Sequence, residues 1–314
     1  MQYKKFIVGI NDDDRRIDRI IRNFIPDISL GDIYKSIRKG LIKVNNKKTK
    51  NDCHVQKNDE ISIADFLLSD ITVNKNEIIN FDLNSIIVLQ TSDLLIINKP
   101  YNMLTQGDSK SLDKIVQSYY KNNFTHSSLS FVPGPLHRLD KKTTGLVTFS
   151  LSLAGARWFS ENIQNHSIKK HYKGIILGKI LKTEIWDEYI KTEKDNKSGF
   201  HTVKVNSEDE NGYKDSYTEV IPLKYGKYKD KDITLVEFRI KTGRMHQIRA
   251  VSAFHNHPLL GDTAYGAIEM KDSNQDFFLQ AVALLFPKDN PLNLPEKVEI
   301  DLSDNFKEFV YKNL

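Results

Sequence analysis

Cysteine and long apolar runs are nearly absent from this chain of 314 residues. The single cysteine, Cys53, cannot form an internal disulfide and cannot build a zinc site from thiolates. The longest apolar run, residues 281–286, stops at Pro287 and is far shorter than the ~20 residues that a membrane span needs. Apolar residues 6–10, close to the N-terminus, are too few for the core of a signal peptide. These absences predict a cytoplasmic protein without a membrane segment.

An excess of one charge is also missing, because 46 basic and 41 acidic residues leave a net charge of only +5. The distribution of charge says more than the total. Residues 33–50 contain seven basic side chains and no acidic one, and we call these seven the basic stripe. Its members are Lys35, Arg38, Lys39, Lys43, Lys47, Lys48 and Lys50. Such a stripe is typical of a surface that contacts a phosphate backbone, although a solvated lysine-rich face is an equally ordinary explanation.

The N-terminal part of the chain has the pattern of a small α+β unit. Apolar residues spaced at i, i+3, i+4 and i+7 predict two short helices, the first ended by Pro26 and the second capped by Ser29 and stopped at Gly40. The predicted elements are helices at 17–24 and 30–37, a strand at 41–44, a turn at 45–46 and a strand that ends at 61–63. Residues 64–84 lack strong periodicity and are predicted to be a linker. We therefore expect a domain over 1–75, including linker, and a second over 76–314.

In the second domain, short apolar runs predict more strands than helices, and the two types do not alternate regularly. Strands are predicted at 86–89, 94–97, 146–149, 172–177, 235–240 and 278–286, and helices at 112–119, 153–163 and 248–254. The polar stretch 195–216 is predicted to be a hairpin and loop. This order favours an α+β fold, with a largely antiparallel or mixed sheet and flanking helices, over a doubly wound parallel sheet.

Two polar clusters, residues 137–145 and 242–249, lie next to predicted strands, where a rigid sheet can aim ionisable groups into a cleft. Taken alone, an Arg-x-Asp pair of the kind found in the first cluster is more often a structural ion pair. The sequence has no glycine-rich phosphate loop and no Gly-x-Ser-x-Gly elbow, so nucleotide cofactors and serine hydrolysis lose their usual support. His246, His255 and His257 lack a thiol or carboxylate at zinc spacing, and we predict no metal site.

The first cluster, His-Arg-Leu-Asp-x-x-Thr-Thr-Gly, resembles the signature of the RluA family of RNA pseudouridine synthases. Residues 243–249 resemble the second motif of that family, and the resemblance extends from about residue 86 to the C-terminus. Further matches, in the same order as in the family, are residues 94–100, 170–172, 257–262 and 265–266. The N-terminal matches, residues 16–18, 33–40 and 44–45, resemble the alpha-L RNA-binding motif and lean toward the RluC branch of the family.

The resemblance implies roles for individual residues. Asp140 would act as nucleophile or base on a flipped-out uridine, and Arg249 would hold its charge by gripping the carboxylate with two hydrogen bonds. Tyr172 would stack on the base and is a candidate for late proton removal. Arg138 would fill the space that the uridine leaves. The residues expected to support the pocket are His137, Arg244, His246 and Gln247.

The implied reaction is the isomerisation of uridine to pseudouridine, which involves no cofactor and no group donor. The expected partner is structured RNA, namely large-subunit ribosomal RNA or its assembly intermediates, and no protein partner is implied. Three alternatives are a pseudouridine synthase for transfer RNA, a non-catalytic RNA-binding factor on the same scaffold, and a nucleoside hydrolase. The hydrolase would need a second carboxylate for its water, and the presence of Asp140, Tyr172 and Arg249 together argues against a non-catalytic scaffold.

Overall fold

The structure, a computed structural model, describes residues 1–25, 28–68, 81–124, 128–194, 201–271 and 273–314. The helices of this part of the chain are α1 (Ile17–Phe24), α2 (Leu30–Lys39), α3 (Leu112–Asn123), α4 (Leu153–Gln164), α5 (Gln247–Phe254) and α6 (Asp304–Asn313). The strands are β1 (Tyr3–Ile7), β2 (Arg15–Arg16), β3 (Ile42–Val44), β4 (Lys47–Lys48), β5 (His54–Val55), β6 (Glu60–Ala64), β7 (Ile87–Gln90), β8 (Leu94–Lys99), β9 (Thr144–Ser150), β10 (Lys169–Leu177), β11 (Glu184–Lys194), β12 (His201–Asn206), β13 (Lys214–Tyr228), β14 (Lys231–Ile240), β15 (Leu279–Leu285) and β16 (Lys297–Glu299).

The N-terminal residues form their own sheet, with strand order β1-β6-β3-β4, packed against α1 and α2. The predicted helices are confirmed, and so is the cap, because Ser29 Oγ accepts a hydrogen bond from the Asp32 N–H at 3.1 Å. Gly40 ends α2 in the left-handed region, where a side chain is disfavoured. Pro26 lies outside the described residues, as do residues 69–80 of the predicted linker. The apolar stripes of both helices bury isoleucines against this small sheet.

The second sheet is large and mostly antiparallel, with strand order β12-β11-β13-β14-β10-β15-β9-β8-β7 and with β16 paired to β15. One junction differs: β9 and β15 run parallel near the centre, with Thr144 opposite Gln280 and Gly145 opposite Ala281. The α+β prediction is therefore confirmed. Among the described residues, no helix is long and apolar enough to cross a bilayer.

The polar stretch 195–216 contains more strand than the sequence pattern indicated. Residues 201–206 form β12 and pair with β11, while β13 begins at Lys214 and continues to Tyr228. Residues 195–200 lie outside the described residues. The long strands β11 and β13 were not predicted, because polar side chains are interspersed along both and leave no continuous apolar run.

Asp12 connects the N-terminal unit to the larger one. Its side chain is fully buried and accepts hydrogen bonds from the Ser128 and Ser130 hydroxyls and from the Leu129 and Ser130 N–H groups, at 2.5 to 3.3 Å. Arg15 donates to the Ser130 hydroxyl at 2.6 Å, on the same side of the contact. A buried carboxylate needs such donors, so this contact holds the two units in a defined arrangement.

Candidate active site

The loop that carries Asp140 is anchored on both sides of that residue. On the N-terminal side, the Thr105 hydroxyl donates to the Leu139 carbonyl at 3.1 Å and accepts from the Leu139 N–H at 3.2 Å. On the C-terminal side, the Lys99 ammonium donates to the Lys141 carbonyl at 2.9 Å. The Thr143 N–H donates to the Asp140 carbonyl, which closes a tight turn before β9. The backbone of the loop is thereby fixed before any substrate binds.

Lys99 is a buried cation that the sequence analysis did not single out, although it lies within the matched residues 94–100. Its ammonium donates to three backbone carbonyls, those of Pro100, Met103 and Lys141, at 2.8 to 3.0 Å. Burial lowers the pKa of Lys99 to about 7. The charge of the Asp140 carboxylate has the opposite, smaller effect and raises that pKa. Lys99 therefore joins the end of β8 to the loop that follows Asp140.

Gly145 allows the loop to enter the sheet beside β15. Its φ is +106°, in the region that favours glycine, and a Cβ at this position would collide with the Ala281 backbone. The glycine of the first motif is thus required by the close parallel approach of β9 and β15. The loop that carries Asp140 therefore enters the large sheet at the junction of β9 and β15.

Arg249, near the start of α5, contacts two carboxylates unequally. Its Nη1 lies 3.3 Å from Asp140 Oδ2, in a single hydrogen bond. Its Nε and Nη2 donate to the two oxygens of Asp262, at 2.7 and 2.9 Å. The expectation that the fork of Arg249 grips Asp140 with two hydrogen bonds is therefore wrong. The bidentate partner is Asp262, which is better placed because its carboxylate is buried beside the guanidinium.

Two aromatic rings and a histidine complete the surroundings of Asp140. The Arg249 guanidinium lies 5.0 Å from the ring centre of Tyr265 and 4.9 Å from that of Phe277, which are cation–π distances. His246 Nδ1 lies 2.8 Å from the Tyr265 hydroxyl, and His246 Nε2 lies 3.8 Å from Asp140 Oδ2. Sequence reasoning missed Asp262 and Tyr265 as site residues, although both stand in the matched stretches 257–262 and 265–266.

Tyr172 lies on β10, in the wall of the same cleft, and is 6% exposed. Burial, together with the Asp140 carboxylate, raises the pKa of Tyr172 well above its usual value. The side chain is therefore an uncharged phenol at neutral pH. A flat, neutral ring at this place suits stacking on a base.

His137 and Gln247 are held by fixed hydrogen bonds. His137 Nε2 accepts from the Thr148 N–H at 3.1 Å, so the proton of the neutral ring is on Nδ1. Burial, and secondly Lys170, lowers the pKa of His137 to about 3, so the ring stays neutral. The Gln247 side chain joins the Arg244 N–H to the Tyr217 carbonyl. The Arg244 side chain is itself paired with Asp215 at 2.6 Å.

These side chains line one cleft of about 1100 Å³. The predicted site residues in its wall are His137, Arg138, Asp140, Tyr172, Arg244, His246, Gln247 and Arg249. Arg138 is exposed at the cleft, and no ion pair links it to another described residue. Within the described part of the chain, no group of three or more His, Cys, Asp or Glu side chains could hold a metal ion.

The basic stripe lies apart from this cleft, on α2 and the β3–β4 hairpin. Its side chains are exposed except for Lys43, which is half-buried with its ammonium 4.4 Å from the ring centre of Tyr3. None of the seven forms an ion pair with another described residue. The six exposed cations of the stripe are available for phosphate contacts.

Comparison with known proteins points to one family. A family model described as RNA pseudouridylate synthase matches residues 93–254. An uncharacterised RNA pseudouridine synthase of Mycoplasma genitalium is 27% identical over 299 residues, covering 90% of this chain and 89% of that protein. Ribosomal large subunit pseudouridine synthase C of Rickettsia bellii is 26% identical, with 87% and 90% coverage. The solved structure of human RNA pseudouridylate synthase domain containing 4 has a TM-score of 0.58 at 20% identity, covering 73% of this chain and 93% of that one, which shows a shared fold.

Proposed function

Because the chain belongs to the RNA pseudouridylate synthase family and is an isomerase of uridine in RNA, we propose that its substrate is large-subunit ribosomal RNA and that Asp140 is its catalytic residue. The observation that supports Asp140 most directly is the position of its carboxylate. It lies in the cleft, it receives one hydrogen bond from a buried arginine at Oδ2, and no described residue donates a hydrogen bond to its Oδ1 atom. One oxygen is thus held by Arg249, while the other keeps its lone pairs available to a substrate in the cleft.

The reaction breaks the bond between N1 of uracil and C1′ of the ribose, turns the base, and joins C5 to C1′. The C5 proton is lost and N1 gains a proton, so no redox partner is consumed. Asp140 supplies the carboxylate, as a nucleophile or as a base. Arg249 donates one hydrogen bond to that carboxylate and so fixes its position in the cleft.

Tyr172 stacks on the base while it turns. Since burial keeps Tyr172 as a phenol, it could accept the C5 proton only after losing its own. The structure therefore supports stacking more strongly than proton removal. Replacement of Tyr172 by phenylalanine would keep the ring and remove only the hydroxyl, which separates the two roles.

A paired uridine reaches this cleft only by leaving its stack, at a cost of a few kcal/mol. Arg138 is exposed at the cleft and unpaired among the described residues, so its planar guanidinium is free to enter the space that the base leaves. Phosphate contacts from the basic stripe would hold the flanking RNA without reading its sequence.

The choice of ribosomal over transfer RNA rests on the N-terminal unit and on the relatives. The match to ribosomal large subunit pseudouridine synthase C covers 87% of this chain, so it extends well beyond the residues of the family model. A second RNA-contacting surface away from the cleft suits a large folded RNA. The nucleoside hydrolase alternative has no free second carboxylate in the described cleft wall, because Asp215 is paired with Arg244.

The test is a map of pseudouridine in ribosomal and transfer RNA from cells that lack this protein. We expect sites in large-subunit RNA to be lost, to return with the wild-type gene, and to stay absent with Asp140→Asn. Loss confined to transfer RNA would overturn the ribosomal substrate. Restoration by Asp140→Asn, with the variant stably folded, would overturn the role of Asp140.

A further inference from the structure

Lys170 lies in the cleft wall and has no role in the reaction described above. It precedes Tyr172 by two positions on β10, so both side chains lie on one face of the strand, about 6.6 Å apart along it. Lys170 is only 6% exposed, yet it lines the cleft. A base stacked on Tyr172 would therefore have its sugar and phosphates beside Lys170.

The positive charge of the Lys170 ammonium has little compensation from the surrounding protein. Its one hydrogen bond within the described structure goes to the Thr242 carbonyl at 3.4 Å, near the limit for such a bond, and no described carboxylate lies within ion-pair distance. Burial, and secondly the charge of Arg244, lowers the pKa of Lys170 to about 8. A buried cation without a counter-charge is costly, so a protein retains one where a ligand supplies the missing charge.

The neighbours of Lys170 do not supply that charge. His137 is neutral, and its buried Nδ1–H has no acceptor among the described residues. Arg244 adds a second positive charge and is already paired with Asp215. This end of the cleft thus offers one unsatisfied buried ammonium.

Gly243 preserves the space that the ammonium occupies. A Cβ on Gly243 would lie 2.8 Å from Lys170 Nζ, so the end of the lysine side chain would have to move away from its present position. The backbone of Gly243 is not in the left-handed region, so its conformation does not require glycine. The glycine therefore keeps room for Lys170 and whatever the ammonium binds.

We propose that Lys170 binds a phosphate of the RNA backbone next to the uridine that stacks on Tyr172. This inference rests on the proposed placement of the uridine in the cleft. Phosphate fits better than a uracil carbonyl, because a lysine ammonium is a compact point charge and a phosphodiester carries the full negative charge that the site lacks. The contact fixes the register of the target nucleotide relative to Asp140.

The first experiment uses nucleotides, so that it does not depend on which RNA is the natural substrate. Binding of uridine, uridine 3′-monophosphate and uridine 5′-monophosphate to the full-length protein is measured by NMR titration. We expect at least one monophosphate to bind wild-type protein about tenfold more tightly than uridine, and this difference to vanish in Lys170→Met. The control is Lys169→Met, which removes the same charge from the exposed neighbouring position and should keep the difference.

The second experiment measures binding of total ribosomal RNA as a function of salt. Lys170→Met should reduce the slope of log K against log salt by roughly 0.7 to 0.9, and Lys170→Arg should restore it. An equal loss for uridine and for both monophosphates would reassign Lys170 to the base. An unchanged salt slope, or a fall in Tm that Lys170→Arg does not rescue, would reduce Lys170 to a structural residue and overturn the proposal. Either result leaves the ribosomal substrate and Asp140 untouched, because those depend on the pseudouridine map.

Discussion

Arg249 divides its hydrogen bonds between two carboxylates, and the division suits a reactive Asp140. If the guanidinium gripped both oxygens of Asp140, each oxygen would have one lone pair fewer for the substrate. Asp262 takes the fork instead and fixes the orientation of Arg249, so a single Nη1 group reaches Asp140. Asp262 is therefore a positioning residue for the proposed reaction, acting through Arg249.

Replacement of Asp262 by asparagine tests this arrangement. The change removes the negative charge and one of the two oxygens that accept hydrogen bonds from Arg249. We therefore expect turnover to fall at least tenfold while RNA affinity stays within about twofold. Breaking a buried ion pair costs about 3–5 kcal/mol of unfolding free energy, which a denaturant titration would detect. Asp301→Asn is the control, because Asp301 is an exposed acid paired with Lys307. Normal turnover in a folded Asp262→Asn protein would contradict the positioning role.

Lys99 gives a prediction about pH. Its pKa in the folded protein is about 7, below the unfolded value of 10.5, because burial disfavours the ammonium. Between these values the unfolded chain binds more protons, so unfolding free energy rises with pH from about 7 to about 10. Lys99→Met removes this contribution and leaves three carbonyls without a donor. We expect lower stability at every pH, and a deficit relative to wild type that grows between pH 7.5 and 9.5.

Urea titrations of both proteins across that range would measure the deficit. Lys114→Met, at an exposed position of α3, is the comparison that should show no such trend. A deficit that shrinks as pH rises would mean that Lys99 is more basic when folded, and the stated direction would be wrong.

Among the elements, the parallel pair β9 and β15 determines where the Asp140 loop meets the sheet. Gly145→Ala places a Cβ against the Ala281 backbone at a positive φ, and neither strand can move without disturbing the sheet. We expect a loss of several kcal/mol of unfolding free energy, or failure to fold. Gly134→Ala is the matched control, because its Cβ would enter open space, and it should cost less than about 1 kcal/mol. Equal stability of the two variants would contradict this account.

The sequence predicted the elements whose signals are local. The periodicity of Ile17, Ile20 and Ile21, and the cap at Ser29, identify α1 and α2 without any long-range information. The pairing of Arg249 with Asp262 was not predictable, because it depends on how the chain turns between α5 and the residues that follow. The parallel contact of β9 with β15 was also missed, since it joins segments far apart in the chain. The motif resemblance identified residues that line the cleft, but it did not predict the hydrogen bonds between their side chains.

At the scale of the whole molecule, Asp12 fixes the position of the N-terminal unit, which carries the basic stripe, relative to the unit that contains the cleft. Its buried carboxylate accepts hydrogen bonds from donors on residues 128–130. The N-terminal unit is therefore fixed by a packed contact and not only by its chain connection. RNA that binds along the stripe, as proposed, would therefore meet the cleft at a set distance and angle. We infer that this arrangement contributes to the choice of target uridine.

Asp12→Ala should release that contact, because four donors lose their common acceptor. We expect kcat/KM for ribosomal RNA to fall at least fivefold while the single-turnover rate at saturating RNA changes less than threefold. Small-angle scattering should show a larger radius of gyration. Asp14→Ala is the control, because Asp14 is exposed and pairs with His54 inside the N-terminal unit. If the Asp12→Ala variant has unchanged kinetics, the contact between Asp12 and residues 128–130 does not contribute to the choice of target uridine.

The parallel junction also governs when the molecule can become active. Gly145 pairs with Ala281, a residue that follows it by 136 positions, so β15 is synthesised long after the Asp140 loop. Contacts this distant in sequence slow folding, because a long loop must close before the pairing stabilises it. A nascent chain that ends before β15 already contains residues 137–145. It lacks the strand against which β9 pairs at Gly145. The Asp140 loop therefore reaches its final position on the sheet only after β15 has been synthesised and has paired with β9.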